Sequence, residues 1–418
     1  MPVCRVCGGD RLVEFLSFGD TPIADGLIRE SQLDQTDLTA PLRVLFCHTC
    51  TLVQIGETLD PALLFGDAYR YHSSSSETVL KQAQENASRL RRKMKLDQSS
   101  LIVEIGSNDG YLLKNFLDQG NTVLGVDPAP SPVQVADNAG IPTWREFFTT
   151  ELAHRMVDKG LRADIVIANN VLAHVPDIHD FVNGISLILK PDGMAVIEVP
   201  WIFRMMENLA YDTIYHQHVF YFSLTAITAL FRRHGLVVND IHPLDSQGGS
   251  LRLYVSRQAT VTEAVGDMLA EESARGVDDT AVYFEFRQRV EAHRRNLRDL
   301  LIGLKADNRR IAAYGAAAKG TTLLHACGLD NSVIDYVVDR NTYKQGCYMP
   351  GSRLPIRAPD LLATDRPDYI LLLSWNLADE ILAQQRGYLE AGGQFIVPIP
   401  EPRIVGSRSS EALKPSGR

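Results

Sequence analysis

Short apolar runs alternate with amphipathic stretches over two parts of the chain, and this alternation predicts two α/β units with mainly parallel sheets. In the first unit the predicted strands are Leu101–Ile105, Thr122–Val126, Asp164–Ala168, Met194–Val199 and Leu251–Val255. In the second unit a strand begins at Ile311, and others are predicted at Val333–Val338, Tyr369–Ser374 and Phe395–Pro398. Helices are predicted at Glu77–Lys95, Phe181–Leu189 and Leu224–His234.

Other parts of the chain do not follow this alternation. The N-terminal segment is rich in polar residues and predicts an irregular, loop-rich module with little core of its own. Between Thr260 and Asp307 the chain is charged and carries apolar residues at helical spacing, which predicts a long connecting helix with a solvated basic side. The polar tail after Pro402 is predicted to be disordered.

The composition is that of an ordinary globular protein of 418 residues, with 45% hydrophobic and 22% charged residues. The formal net charge of −9 argues against a nucleic-acid partner, which generally needs a basic face. No apolar run is long enough to span a bilayer, and the N-terminus has no apolar segment typical of a secretory signal. We therefore expect a cytoplasmic protein without a membrane partner, as a monomer or a homodimer.

Four of the six cysteines form two CxxC pairs, Cys4 with Cys7 and Cys47 with Cys50. Each pair can place two thiolates on one cation, and two pairs complete a closed tetrahedral site of the structural zinc type. The alternative is four free or disulfide-bonded cysteines, and a reducing compartment disfavours the disulfides. We therefore predict structural Zn²⁺, which would supply much of the folding free energy of this module.

The first predicted strand ends in a turn, Gly106–Gly110, that precedes a helix. Such a turn places a ligand at the helix N-terminus, and an acidic residue at the end of the second strand, here Asp127, can accept hydrogen bonds from ribose hydroxyls. The turn lacks the GxGxxG pattern of dinucleotide sites, and Glu104 and Asp109 add negative charge that suits a cationic sulfonium with an ammonium group. We predict an S-adenosylmethionine (SAM) site, with a purely structural strand–turn–helix as the alternative. The predicted cofactor contacts are Glu104, Gly106, Asn108, Asp109, Asp127, Phe147 and Asn169.

Histidines and tyrosines cluster in the segments that follow predicted strands. His174 follows the predicted strand Asp164–Ala168, and Tyr215–His218 follows the predicted strand Met194–Val199. Histidine titrates near neutral pH, so these segments are candidates for acid/base chemistry; the alternatives are a capping or core histidine and aromatic packing around a loop. Tyr69–His72 is either a polar linker or a loop that carries hydroxyls over the site. In the second unit, Lys319 follows a glycine turn and is placed to face a phosphate or a negative substrate, with a second nucleotide as the alternative.

Taken together and in this order, six segments resemble the three-domain nucleotide-sugar C-methyltransferases of deoxysugar biosynthesis. The resemblance covers the chain from Cys4 to about Pro400. Its marks are the paired CxxC module, VEIGSNDGYLL, NNVLAHV, TIYHQHVFYFS, GGSLR and YGAAAKG. The resemblance implies an N-terminal zinc-binding module, a Rossmann-like class I methyltransferase domain and a C-terminal Rossmann-like α/β domain that helps to enclose the substrate. The corresponding domain boundaries are 1–70, 71–258, a helical connector at 259–308, and 309–405.

The resemblance also implies an activity, namely SAM-dependent methylation at C3 of a TDP-linked 4-keto-6-deoxy sugar, often a 2,6-dideoxy sugar. The 4-keto group acidifies the C3 proton, a base removes it, and the enolate takes up the methyl group. His218 corresponds to the base, and Tyr215 and His174 correspond to neighbours that bind the sugar or the enolate oxygen. A tyrosine of the Tyr69/Tyr71 loop corresponds to a lid residue, which favours the loop over the linker.

Two positions depart from the pattern of this family. Gln217 stands where the family often has Glu, and it cannot tune a histidine by charge, so Tyr215 is the alternative base. Gln247 precedes GGSLR where many relatives have histidine. The predicted substrate contacts are Tyr69, Tyr71, Gln217 and Lys319. The alternative functions are an O- or N-methyltransferase of another small molecule and a non-catalytic zinc-containing binding module.

Overall fold

The N-terminal segment contains two long strands, so the prediction of an irregular module is wrong. The structure, a computed structural model, describes residues 2–66, 69, 71–244 and 249–406. Leu16 and Phe18 are buried on either side of the exposed Ser17, which is the alternation of a strand with one covered face. The elements of this part are β1 (Leu12–Pro22), β2 (Thr39–Cys47), β3 (Val53–Ile55), α1 (Pro61–Phe65) and α2 (Glu77–Met94).

The first α/β unit contains a seven-stranded sheet and one short additional strand. Its elements are β4 (Leu101–Ile105), α3 (Leu113–Leu117), β5 (Thr122–Val126), α4 (Pro130–Asn138), β6 (Thr143–Trp144), α5 (Thr150–Asp158), β7 (Ala163–Asn169), α6 (Ile178–Ile188), β8 (Leu189–Pro200), α7 (Ile202–Glu207), β9 (Phe220–Tyr221), α8 (Leu224–Arg233), β10 (Val237–Leu244) and β11 (Ser250–Ser256). The order in the sheet is β10-β11-β8-β7-β4-β5-β6, in which β11 runs antiparallel to both of its neighbours, β10 and β8, and the other pairs are parallel. The bounds predicted for β4 and β5 are confirmed.

The helices α2 and α3 cover one face of this sheet. Ile102, Ile165 and Ile167 of the central strands pack with Leu90 and Phe116 of these helices in one buried cluster. Side chains two positions apart on a strand share a face, so Glu104 points to the same side as Ile102. A carboxylate therefore continues an apolar face at the carboxyl end of β4.

The second α/β unit has a six-stranded sheet, and two helices precede it. The predicted connecting helix is interrupted at Gly276, where φ is +75°, a conformation outside the helical region. The elements are α9 (Glu263–Ala274), α10 (Thr280–Ala306), β12 (Ile311–Tyr314), α11 (Ala318–Cys327), β13 (Val337–Val338), β14 (Ile356–Arg357), α12 (Leu361–Asp365), β15 (Tyr369–Leu372), α13 (Ala378–Gln384), α14 (Arg386–Glu390), β16 (Gln394–Val397) and β17 (Arg403–Val405). The sheet order is β14-β13-β12-β15-β16-β17. β17 lies beyond Pro402, so the prediction of disorder is wrong for these three residues.

The chain forms two compact units, each built from three separate segments. The first unit comprises residues 1–15, 44–204 and 217–282, and the second comprises 16–43, 205–216 and 283–418. No helix within the described ranges is long and apolar enough to cross a bilayer.

A strand of the first α/β unit completes the N-terminal sheet. That sheet has the order β1-β2-β3-β9, and β9 pairs antiparallel with β3. Immediately before β9, the backbone N–H of Ile55 donates to the carbonyl of Val219 at 2.9 Å. The segment that carries His218 is therefore hydrogen-bonded directly to the N-terminal sheet.

Candidate active site

The four paired cysteines lie together, as the predicted metal site requires. Their Sγ atoms all lie within 4.8 Å of one another, with Cys4 and Cys50 at 3.5 Å and Cys7 and Cys47 at 3.6 Å. A tetrahedral zinc with Zn–S bonds of about 2.3 Å separates its sulfurs by about 3.8 Å, whereas a disulfide bond is about 2.05 Å long. The cluster therefore fits a structural Zn²⁺ and excludes disulfides between these cysteines in this conformation.

The predicted cofactor turn lies at the point where the sheet connections change direction. From β4 the chain continues to β5 and β6 on one side, and β7 lies on the other side. Ligands of doubly wound sheets bind at the carboxyl ends of the strands at this point. Gly106 has φ +68°, and a Cβ there would lie 2.4 Å from Cγ2 of Val171, so the close approach of the two loops requires glycine.

Asp127 is anchored at the end of β5 by two backbone groups. Its Oδ2 accepts from the N–H of Asn108 at 2.9 Å, and its Oδ1 accepts from the N–H of Ala129 at 2.9 Å. Burial raises the pKa of Asp127 to about 6. The carboxylate is thereby held rigidly beside the turn, and its remaining lone pairs suit the hydroxyls of a ribose.

Several buried polar atoms beside this turn have no hydrogen-bond partner within the part of the chain that the structure describes. They are both carboxyl oxygens of Glu104, Oδ1 of Asp109 and Oδ1 of Asn169. Burial, together with the charges of Asp127 and Asp109, raises the pKa of Glu104 well above its usual range. Uncompensated buried carboxylates are costly. The site therefore fits a cationic ligand, and these residues would hold the positive groups of SAM.

We expect cofactor binding to release a proton from Glu104. A raised pKa means that Glu104 keeps its proton to a higher pH in the free protein than an ordinary carboxyl group does, and a bound cation lowers that pKa. The affinity for SAM should therefore increase with pH over the range in which Glu104 titrates, and binding in that range should release a proton. Calorimetry in two buffers of different ionisation enthalpy measures this release. Glu104→Gln should abolish it, and wild-type binding without proton release would contradict the role of Glu104.

Two of the predicted acid/base residues lie side by side. The ring centroids of His174 and His218 are 4.8 Å apart. The loops that carry them are joined because the N–H of Val219 donates to the carbonyl of Ala173 at 2.7 Å. Burial, and then the charge of His218, lowers the pKa of His174 to about 3. His174 is therefore neutral at physiological pH, and its buried Nδ1 has no hydrogen-bond partner among the described residues.

The other predicted residues of the first unit differ in burial and in their contacts with the His174–His218 pair. Gln217 is buried next to His218, and Tyr71 is 39% exposed. The ring of Tyr69 lies 5.6 Å from that of Phe65, which packs edge-on against His174 at 5.6 Å. Phe147 is 42% exposed in the loop after β6.

The remaining predicted residues belong to the second unit. Tyr215 is half-buried, and the neighbouring His216 is buried with its Nε2 at 3.1 Å from the carbonyl of Ala40, which assigns His216 to packing. Lys319 lies in the first turn of α11, donates to Oδ1 of Asn376 and stands 4.2 Å from the centroid of the Trp375 ring. Burial lowers the pKa of Lys319 to about 8.

The sequence interpretation missed residues whose signal was weak. Phe65 ends a five-residue helix and gave no indication of contact with a histidine. Ser73 and Ser74 lie in a run of four serines, which reads as a linker by composition. In the structure both residues contact the cofactor turn. Gln247, the second departure from the family pattern, lies outside the described residues.

Comparison with known proteins agrees with this organisation. Sequence models match a candidate zinc binding domain at residues 4–65, a methyltransferase domain at 79–240 and a C-methyltransferase C-terminal domain at 245–400. C-methyltransferase NovU of Streptomyces niveus is 40% identical over 410 residues, which cover 97% of each chain. A ubiquinone biosynthesis O-methyltransferase of Methylobacterium nodulans is 37% identical over 108 residues, covering 25% of this chain and 42% of that protein.

Solved structures match the central part of the chain at low similarity. The magnesium protoporphyrin IX methyltransferase of Synechocystis, solved with bound S-adenosylhomocysteine (SAH), is 13% identical, with a TM-score of 0.35. The match covers 43% of this chain and 83% of that chain.

The doubly wound sheet, its acidic cofactor turn and the four-cysteine cluster define a SAM-dependent methyltransferase with a zinc-binding module. The full-length similarity then identifies the type of acceptor atom. The chain belongs to the C-methyltransferase family. This decides against the O- or N-methyltransferase and against the non-catalytic binding module.

Proposed function

We propose that this C-methyltransferase methylates C3 of a TDP-linked 4-keto-6-deoxy or 2,6-dideoxy sugar in the biosynthesis of a deoxysugar for a natural product. The observation that carries the proposal is the His174–His218 pair, with ring centroids 4.8 Å apart, at the carboxyl edge of the sheet that holds the cofactor turn. Carbon methylation needs a base that accepts a proton near neutral pH and a group that donates a hydrogen bond to the developing oxyanion. Two imidazoles in different environments supply these roles.

His218 is the base in this proposal. It is half-buried, whereas His174 is held neutral by burial. When bound, SAM supplies the electrophilic methyl group that C3 takes up. His218 accepts the C3 proton, and the negative charge moves to the C4 oxygen of the sugar. His174 or Tyr215 donates a hydrogen bond to that oxygen, and Tyr215 is the alternative base.

Four further residues are proposed to bind the acceptor. In the first unit, Tyr69 and Tyr71 cover the sugar, and Gln217 offers an uncharged amide beside the base. In the second unit, Lys319 binds an anionic part of the substrate. Its support is its position between β12 and β15, where the connections of the second sheet change direction. The buried Asp212 accepts from Nε1 of Trp375 at 2.7 Å, and its charge acts to raise the pKa of Lys319.

Deuterium exchange tests the reaction without methyl transfer. In D₂O, with SAH in place of SAM, the enzyme should exchange the C3 proton of a TDP-4-keto sugar, and mass spectrometry measures the incorporation. With SAM, the same sugar should gain one methyl group on carbon. Complete absence of enzyme-dependent exchange, with SAH shown to bind, would count decisively against this substrate class.

A further inference from the structure

The backbone of residues 71–74 is hydrogen-bonded to the cofactor turn, and we call these four residues the strap. The side chain of Asn108 makes two of the bonds. Its Oδ1 accepts from the N–H of Ser73 at 2.8 Å, and its Nδ2 donates to the carbonyl of Tyr71 at 3.2 Å. One amide therefore binds the strap on both sides of His72, as a neighbouring strand would.

Two more residues, Asp109 and Ser131, fix the strap. Oδ2 of Asp109 accepts from the N–H of Ser74 at 3.0 Å and from its hydroxyl at 2.6 Å. Nε2 of His72 lies 3.1 Å from Oγ of Ser131 in α4, just after the loop that follows β5. Asn108, Asp109 and Ser131 thus hold the strap next to the two loops between which a nucleoside would bind.

Asn108 connects the strap to the carboxylate predicted to hold the ribose. Its φ is +50°, in the left-handed region, and its own N–H donates to Oδ2 of Asp127 at 2.9 Å. The backbone of Asn108 therefore faces Asp127 while its side chain faces Tyr71 and Ser73. Any ligand that stabilises Asp127 and this turn also stabilises the position of the strap.

Asp109 adds an electrostatic link. Its Oδ2 binds Ser74, whereas its Oδ1 is buried without a hydrogen-bond partner in the described chain. Burial, and then the charges of Asp127 and Asp109, raise the pKa of Glu104. A cation bound at this turn is attracted to the same Asp109 carboxylate that accepts the two hydrogen bonds of Ser74, and hydrogen bonds to a charged acceptor are the stronger ones.

We propose that Asn108 and Asp109 are positioning residues that couple cofactor occupancy to the order of the strap, and thereby to the binding of the acceptor by Tyr71. The coupling to the acceptor rests on the proposed function, whereas the link between cofactor and strap does not. The consequence is an ordered reaction, in which the cofactor binds first and the acceptor binds to the ordered strap.

Hydrogen exchange of the wild-type protein tests the link directly. SAH retains the adenosine and the ammonium group and serves as the probe. It should slow exchange of the Ser73 and Ser74 amides by about tenfold, since both hydrogen bonds are made to the cofactor turn. Unchanged strap exchange at saturating SAH would overturn the proposal.

Asn108→Gly removes the side chain but keeps the left-handed backbone, so the turn that binds Asp127 remains intact. In this variant SAH, at a concentration that saturates the site, should no longer slow strap exchange, and the acceptor KM should rise about tenfold. Asn308→Gly is the matched control, because Asn308 is exposed and has φ +58°. Asp109→Asn should give the same loss in part.

The outcomes separate the two proposals. Strap protection by SAH that persists in both variants would overturn the positioning role. An acceptor KM equal to that of the wild type in Asn108→Gly would overturn the coupling to the acceptor. Strap protection that depends on Asn108, in a protein that shows no exchange with any TDP-4-keto sugar, would support the link and contradict only the proposed substrate.

Discussion

His218→Ala should lower the rate of methyl transfer by about 10²–10⁴-fold, the usual contribution of a general base. The affinity for SAM should remain at the wild-type value, because the groups proposed to bind the cofactor lie on the loops after β4 and β5. His174 cannot replace the lost base, since burial lowers its pKa to about 3 and its imidazole is a weak proton acceptor. Single-turnover assays and calorimetry measure the two effects separately.

His154→Ala provides the matched control, because His154 lies exposed on α5 of the same unit and should leave turnover unchanged. Deuterium exchange at C3 should fall together with methyl transfer in His218→Ala, because both require removal of the same proton. Turnover near the wild-type rate in His218→Ala would exclude His218 as the base and assign that role to Tyr215.

Cys4→Ser or Cys47→Ser should abolish stoichiometric zinc binding and strongly reduce the yield of soluble protein. Structural zinc contributes about 10–16 kcal/mol in small zinc modules, which is as large as the whole free energy of unfolding of a typical domain, about 5–15 kcal/mol. Both cysteines are buried, so solvent cannot compensate for the metal–sulfur bond that is lost when either one becomes serine. Metal analysis and the thermal unfolding midpoint measure the effect.

Cys347→Ser is the control for these variants, because Cys347 is a free cysteine outside the four-cysteine cluster. It should retain one zinc per chain and the wild-type midpoint. A soluble, fully active Cys4→Ser protein without zinc would show that the metal has no structural role.

The parts of the fold that could be predicted are those with a strong local signal. The strands Leu101–Ile105 and Thr122–Val126 are buried almost throughout, and their apolar runs end at a glycine turn and at Asp127, which fixes both boundaries. Ser223 directly precedes the predicted helix Leu224–His234, as a capping residue does, and its hydroxyl accepts from the N–H of Ala226 at 3.0 Å. Such features depend on neighbouring residues and are visible in sequence.

The parts that could not be predicted depend on contacts between distant segments. Ser73 and Ser74 have no distinguishing property in a run of serines, and only the fold brings Asn108 and Asp109 to their backbone. The same holds for the contact between Phe65 and His174. Composition alone left Tyr69–His72 open between a linker and a loop, because polar composition does not distinguish a solvated segment from one bound by side-chain amides and carboxylates.

The pairing of β3 with β9 has a consequence for synthesis on the ribosome. All four zinc ligands have been translated by Cys50, and the metal can be captured while most of the chain is still absent. The partner of β3, however, is encoded at Phe220–Tyr221, after nearly the whole parallel sheet. The nascent chain therefore carries an open strand edge from the synthesis of Val53–Ile55 until that of Phe220–Tyr221, and such edges invite pairing with other chains. Closing that edge is the same event that brings His218 to its place beside His174.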